Sequence, residues 1–342
     1  MKKLLYIILI LSSALLTSCV DGEQRDNSPR GNFEALWKVV DEHYCFLNEK
    51  QAEYGLDWDE VYTRYSPRVD KVENNVQLFD LLSDMLAELR DGHTNLVSKF
   101  DISRYSRWYD AYPRNLSDSI RQNYLGKKYR TVSGIKYTIL QPENIAYLVI
   151  ESFMSPISDG SLDNILQMLK DCPAMIIDVR SNGGGMITSA DRLASRFAEK
   201  KTRVGYMRHK TGPGRNDFSE AEAIYVEPSS KHISWRRPVA VLTNRRCYSA
   251  TNDFVNKMKH IPLAVIIGDR TGGGAGLPFT SEIPNGWTVR FSACPMTDEN
   301  GQELESGIDP DVKKDISSKD YQEGRDTIIE AAKALLVQRQ YR

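Results

Sequence analysis

The 342-residue sequence predicts an α/β protein: an N-terminal helical subdomain, then an α/β core, then a C-terminal helix. Three observations lead there. Residues 32 to 90 repeat apolar side chains at helical spacing, first Phe33, Leu36, Trp37 and Val40, later Leu78, Leu81, Leu82, Met85, Leu86 and Leu89. Four short, nearly continuous apolar runs follow at 145–150, 174–179, 238–243 and 263–268, the texture of strands buried on both faces. Helix-like stretches at 159–171, 186–199 and 249–260 alternate with those runs, as in a layered α/β structure.

Taken in order, the chain opens with Lys2 and Lys3 before an apolar run from Leu4 to Leu16. That run is shorter than the roughly 20 residues a membrane-spanning helix needs. It ends in Leu16-Thr17-Ser18-Cys19, which resembles a bacterial lipobox, where the preceding segment is removed and the cysteine carries lipid. An ordinary signal peptide and an uncleaved anchor are the alternatives. The polar stretch Asp21 to Gly31 reads as a tether. The expected organisation is a signal segment at 1–18, a tether at 19–31 and a helical region at 32–98. A connecting segment at 99–144, the core at 145–315 and the closing helix at 316–342 complete it. The second long helix is expected to stop near Arg90-Asp91, with Gly92 at its C-terminus. Residues 287–296 add a strand, and 320–340 carry Ile328, Ile329, Ala332, Leu335 and Leu336 on one helical side.

Composition excludes some functions. Hydrophobic residues at 41%, charged residues at 27% and a net charge of −1 are ordinary for a globular protein and leave no basic stripe for nucleic acid. Cys45, Cys172, Cys247 and Cys294 are scattered, with neither CxxC nor metal-ligand spacing, and read as buried or free thiols with room for one cystine. HExxH is absent as well, so neither a metal nor an organic cofactor is expected.

Three loops carry reactive or permissive residues. Arg180-Ser181-Asn182-Gly183-Gly184-Gly185 follows the second apolar run. Its glycines suit an anion cradle, an oxyanion hole or a plain tight turn. Asn244 to Ala250 joins a strand to a helix and presents Ser249, as an exposed nucleophile or as a simple N-cap. Cys247 is a rival nucleophile, with Arg245 and Arg246 to lower its pKa. The third loop, Leu89 to Thr94, holds His93, one of five histidines and the one set in a glycine-containing loop after an amphipathic helix. An imidazole there suits a general base, or a structural role.

Together these segments resemble one family. Asp91-Gly92-His93-Thr94, Ile176 to Gly185, Cys247-Tyr248-Ser249-Ala250, Gly268 to Gly273 and Gly307-Ile308-Asp309-Pro310-Asp311-Val312 appear in the order found in the S41 peptidases, across about residues 75 to 315. The resemblance implies a core of the ClpP/crotonase type and serine-type peptide hydrolysis. It also selects a branch. Where the C-terminal processing proteases carry a lysine, this chain has Gly274, while Lys257 and Lys259 read as solvated. The histidine motif resembles the tricorn-like branch, which makes Ser249 the nucleophile and His93 its base. Glu305, or alternatively Glu303, then orients the imidazole. Gly183 or Gly184, together with Ala250, supplies the oxyanion-hole amides. The stretch between His93 and the strand at Ile145 is too short for the PDZ domain many relatives carry. The implied substrate is a protein or peptide, met outside the cytoplasm by an enzyme anchored to the cell envelope through Cys19. A non-catalytic domain of the same fold that binds a peptide or small molecule is the competing reading.

Overall fold

The computed structural model describes residues 26–340, so the lipobox-like segment and Cys19 lie outside the described residues. Four helices come first: α1 (Pro29–His43), α2 (Leu47–Tyr54), α3 (Trp58–Val69) and α4 (Asn75–Ala87). Ser28, Asp57 and Asn74 cap α1, α3 and α4, each accepting from first-turn N–H groups that a helix leaves open. The apolar faces of these helices meet around Leu36, Trp58, Leu82 and Met85 in one core. α4 ends at Ala87, and Arg90 (φ 50) takes the left-handed turn expected of Gly92. Gly92 serves close approach instead: a Cβ there would stand 2.6 Å from Trp108 Nε1.

Next come β1 (Asn95–Val97), α5 (Arg107–Asp110), α6 (Asp118–Leu125), β2 (Arg130–Val132), β3 (Ile135–Leu140) and β4 (Ile145–Ile150). The alternating part contains α7 (Asp159–Met168), β5 (Met175–Asp178), α8 (Ile187–Ser195), β6 (Thr202–Met207), β7 (Glu222–Val226), β8 (Val239–Thr243), α9 (Ala250–Lys259) and β9 (Ala264–Gly268). The chain closes with β10 (Leu277–Glu282), β11 (Thr288–Cys294), β12 (Met296–Asp298), β13 (Val312–Lys313), α10 (Ser318–Gln322) and α11 (Thr327–Gln340).

The main sheet has seven strands in the order β13-β9-β8-β5-β4-β3-β2, parallel from β13 to β4 and antiparallel beyond. Residues alternate between its two faces. Ala146, Leu148, Ile177 and Val241 join α7, α8 and α9 on one side, while Tyr147, Ile176, Leu242 and Ile267 join α11 on the other. Both faces are dry, which is why each central strand reads as a continuous apolar run.

Two expected boundaries shift. Residues 130–140, placed in a connecting segment, form β2 and β3 of the main sheet. Residues 277–294, placed in the core, form β10 and β11, which pair with β1 in a separate sheet. Val289 and Phe291 of β11 pack into the N-terminal helical core. This crossing ties the His93 loop to the rest of the molecule.

Candidate active site

The site lies beyond the carboxyl ends of β5, β8 and β9, where ligands of open parallel sheets are met. The glycine loop leaves β5, the Ser249 turn leaves β8, and Gly268 to Gly276 leave β9. His93 arrives from the other subdomain, two residues before β1, held by the register of Asn95 opposite Arg290 on β11.

Ser249 precedes α9, but its side chain makes no capping bond. Its backbone is at φ 59 and ψ −124, a conformation costing about 1–3 kcal/mol for a residue with a Cβ. Three contacts hold it there: Ser249 N–H donates to Gly273 O (2.9 Å), Asp253 N–H to Ser249 O (3.1 Å), and Tyr248 N–H to Asn182 O (3.1 Å). Ser249 Oγ has no hydrogen-bond partner among the described residues. A cavity of about 20 Å³ is bounded by Ser249, His93, Ala250 and the apolar side chains of Ile187, Met296 and Leu304. Serine and histidine thus share one small space, without a hydrogen bond between them. In free enzymes such bonds are often long and tighten only with substrate.

Gly184 sits under the serine. A Cβ on it would meet Tyr248 O at 2.6 Å, Ser249 Cβ at 2.8 Å and Ala250 N at 2.9 Å, and its φ is +98. Gly184 N–H already donates to Asn182 Oδ1 (2.9 Å), so this amide is committed within its own loop. The Gly183 and Ala250 amides have no partner among the described residues, which leaves these two of the three expected oxyanion donors free. Gly183 has open space around its Cα. Gly183→Ala should therefore change stability by less than about 0.5 kcal/mol, whereas Gly184→Ala should cost about 1–3 kcal/mol in urea denaturation.

His93 is buried at 4% exposure, against Tyr248 at 4.8 Å between ring centroids. Its Nδ1 is buried without a hydrogen-bond partner among the described residues. Burial lowers the imidazole pKa to about 4; Asp91 works against that lowering and Arg290 adds to it. The ring is therefore neutral at pH 7, the form a general base requires. Burial also raises the Asp91 carboxyl, but His93, Lys50 and the Ser292 hydroxyl outweigh it and hold the group below its usual value.

Asp91 organises the loop. One oxygen accepts from His93 N–H (2.7 Å) and Tyr248 OH (3.2 Å), the other from Ser292 Oγ (2.7 Å). An aspartate two residues before a histidine is an Asx-turn signal, and that spacing is visible in the sequence. Glu305 is buried nearby, but its Oε2 accepts from Ala275 N–H (2.9 Å), beside the serine, and makes no hydrogen bond to the imidazole. Lys50 lies 3.9 Å from Glu305, too far to hydrogen-bond, so burial and then Asp91 push this carboxyl well above its usual range. Glu303 lines a different cavity, with Arg208 and Tyr206, and burial raises its pKa to about 7.

Two expectations are corrected. Lys257 is not solvated: it is 3% exposed and paired with Asp253 and with Asp191 (2.5 Å). Burial disfavours its charge, but the two carboxylates raise its pKa, which keeps it an ammonium and unsuited to act as a base. The Cys247 thiol, with no exposed surface, donates to Val179 O (3.1 Å), and burial pushes its pKa up to about 12. A thiol in that state is not a nucleophile at neutral pH. All four described cysteines are free and buried. Among the described residues no group of three or more His, Cys, Asp or Glu is placed to hold a metal ion.

The chain is similar to known proteins. A model of peptidase family S41 matches residues 144–314, and a model of the tricorn protease C1 domain matches residues 25–87. A crystal structure of a candidate peptidase from Parabacteroides merdae is 51% identical, with 91% of this chain and 98% of that one covered and a TM-score of 0.86. Mature CPAF is 13% identical over 92% of this chain and 98% of its own, with a TM-score of 0.72, a likeness of fold alone. The "Probable CtpA-like serine protease" of Staphylococcus haemolyticus is 24% identical over 193 residues, which make up 56% of this chain and 36% of that protein. The chain spans about a third of the length of the curated relatives it matches.

Proposed function

The chain belongs to peptidase family S41, and from that premise we propose that it is a serine endopeptidase in which His93 activates Ser249. Ser249 Oγ attacks a peptide carbonyl while His93 takes its proton. The oxyanion that forms is met by the free amides of Gly183 and Ala250. His93 then passes the proton to the leaving amine, and water releases the acyl group by the reverse path. Asp91 positions the histidine loop, and Glu305, bonded to Ala275 N–H, positions the segment opposite the serine.

The observation that carries this reading is the strained, uncapped Ser249 facing a neutral buried imidazole across one small cavity. Strain at a residue whose hydroxyl serves no structural bond is characteristic of functional sites. A fluorophosphonate probe tests it, with the labelled peptide mapped by mass spectrometry. Modification of Ser249 is expected; modification elsewhere, or none, would favour the non-catalytic binding reading. The labelling rate should also report the base. Because the imidazole pKa is lowered, the neutral form persists as pH falls, so the rate should hold to about pH 5 and decline near pH 4. A decline centred on the ordinary histidine value near 6.5 would assign the base to another group.

The proposed substrates are exported proteins or peptides. No described helix is long and apolar enough to cross a membrane, and the proposed attachment is a lipid on Cys19. Metabolic labelling with a fatty-acid analogue should mark the full chain and be lost in Cys19→Ala.

A further inference from the structure

A second cavity, of about 540 Å³, shares a wall with the serine site and is not used in the mechanism above. Four cations line it, Lys50, Arg90, Arg107 and Arg245, against two carboxylates, Glu53 and Glu305. Among the described residues none of these four side chains donates a hydrogen bond. Lys50, 5% exposed, has its nearest carboxylates at 3.8 and 3.9 Å, and Arg245 Nε is buried without a hydrogen-bond partner, 3.5 Å from Asp269. By contrast, the buried Arg121, Arg180 and Arg196 all donate to carboxylates. Lys50 and Arg245 are sheltered, and a sheltered cation without a hydrogen bond is costly unless something meets it, while Arg90 and Arg107 stand exposed at the cavity's edge.

The rest of the wall is aromatic. The Arg90 guanidinium lies 3.9 Å from the Tyr54 ring centre, and that of Arg245 lies 4.0 Å from the Tyr112 ring centre. Stacking of this kind braces the guanidinium plane while leaving N–H groups to bind an anion in the forked geometry a carboxylate accepts. Trp108 stacks on Tyr248 at 4.2 Å between centroids and adds a broad apolar face.

From this combination we infer that the cavity binds an aromatic carboxylate, its acid group on the arginines and its ring against the aromatic wall. The same chemistry ends a peptide whose last residue is aromatic. The wall is shared with the serine site: Gly92, Tyr248, Gly272 and Glu305 face this cavity, and His93, Ser249, Gly274 and Leu304 face the other. A ligand that shifts the wall would therefore shift the serine and histidine. That consequence rests on the peptidase reading, whereas the binding itself does not.

The test is calorimetric titration of the full chain in mild detergent with 3-phenylpropionate, its amide and inorganic phosphate. A tetrapeptide ending in phenylalanine, as free acid and as amide, forms a second arm. The acids are expected to bind and to quench Trp108 fluorescence, and the amides to bind at least about tenfold more weakly, since a charge-assisted bond is worth about that factor or more. Whichever acid binds more tightly identifies the natural source of the group. Arg90→Gln should weaken the acid about tenfold and leave the amide unchanged. Arg107→Gln, at an exposed position, should act in the same direction without any question of folding. Equal binding of acid and amide, competition by phosphate as effective as that of the acids, or no saturation by about 10 mM would overturn the inference.

Discussion

Ser249→Ala is expected to reduce casein hydrolysis on the order of ten-thousand- to a million-fold, because the covalent route disappears and only binding and the amide donors remain. Folding should be almost untouched. The hydroxyl makes no capping bond, and alanine inherits the same positive φ, so denaturation midpoints should agree to within about 0.5 kcal/mol. Ser249→Gly supplies the complementary result: equally inactive, yet more stable by about 1 kcal/mol because glycine adopts that conformation without strain. Hydrolysis and urea denaturation, measured on the same three proteins, separate catalysis from folding. Retained activity in Ser249→Ala would remove the serine from the reaction.

The second large effect concerns stability. Arg180 has no exposed surface; it donates to both oxygens of Asp178 (2.9 and 2.7 Å), to both of Asp326 (3.1 and 2.9 Å) and to Asn115 O (3.2 Å). Asp326 Oδ1 also accepts from Ile328 and Ile329 N–H, so this one cation joins the end of β5 to the start of α11. Arg180→Met should destabilise the protein by about 3–5 kcal/mol, since it strands two buried carboxylates. The pH dependence gives the mechanism away. Burial raises the Asp178 carboxyl, but Arg180 outweighs it and holds the group below its usual value, so in the native protein its contribution is lost only as pH falls through that low value. Without Arg180 burial dominates and the carboxyl is raised, so stability drops as pH climbs through the new value. The loss measured by urea denaturation should therefore be larger at pH 7 than at pH 5. An equal loss at both would mean that packing, not stranded charge, is responsible.

The order of elements and the three loops were legible because their causes are local. Continuous apolar runs mark strands with two dry faces, and helical spacing marks α1, α4 and α11. The loops of Ser249 and Gly183 follow parallel strands whatever the rest of the chain does. Strands β2, β3, β6, β7 and β10 were not legible. β2, β7 and β10 are each covered on one side at most, and their half-exposed residues leave no continuous apolar signal.

Sequence alone thus singled out the candidates for the proposed chemistry: a serine at a strand-to-helix turn, a glycine loop and one histidine set in a turn. What surrounds them was decided by pairing between distant segments. The β1–β11 register brings His93 across from the helical subdomain and buries it, and that burial makes the imidazole neutral. Burial likewise silences Cys247 and turns Lys257 into a structural ion pair. The bond from His93 N–H to Asp91 is local, but tertiary packing gives Glu305 to Ala275 N–H rather than to the imidazole, because a hydrogen bond needs atoms within about 3.5 Å and no spacing along the chain specifies that contact. Identity is a property of the residue, whereas protonation state and partner belong to the dielectric and the neighbours that folding assembles around it.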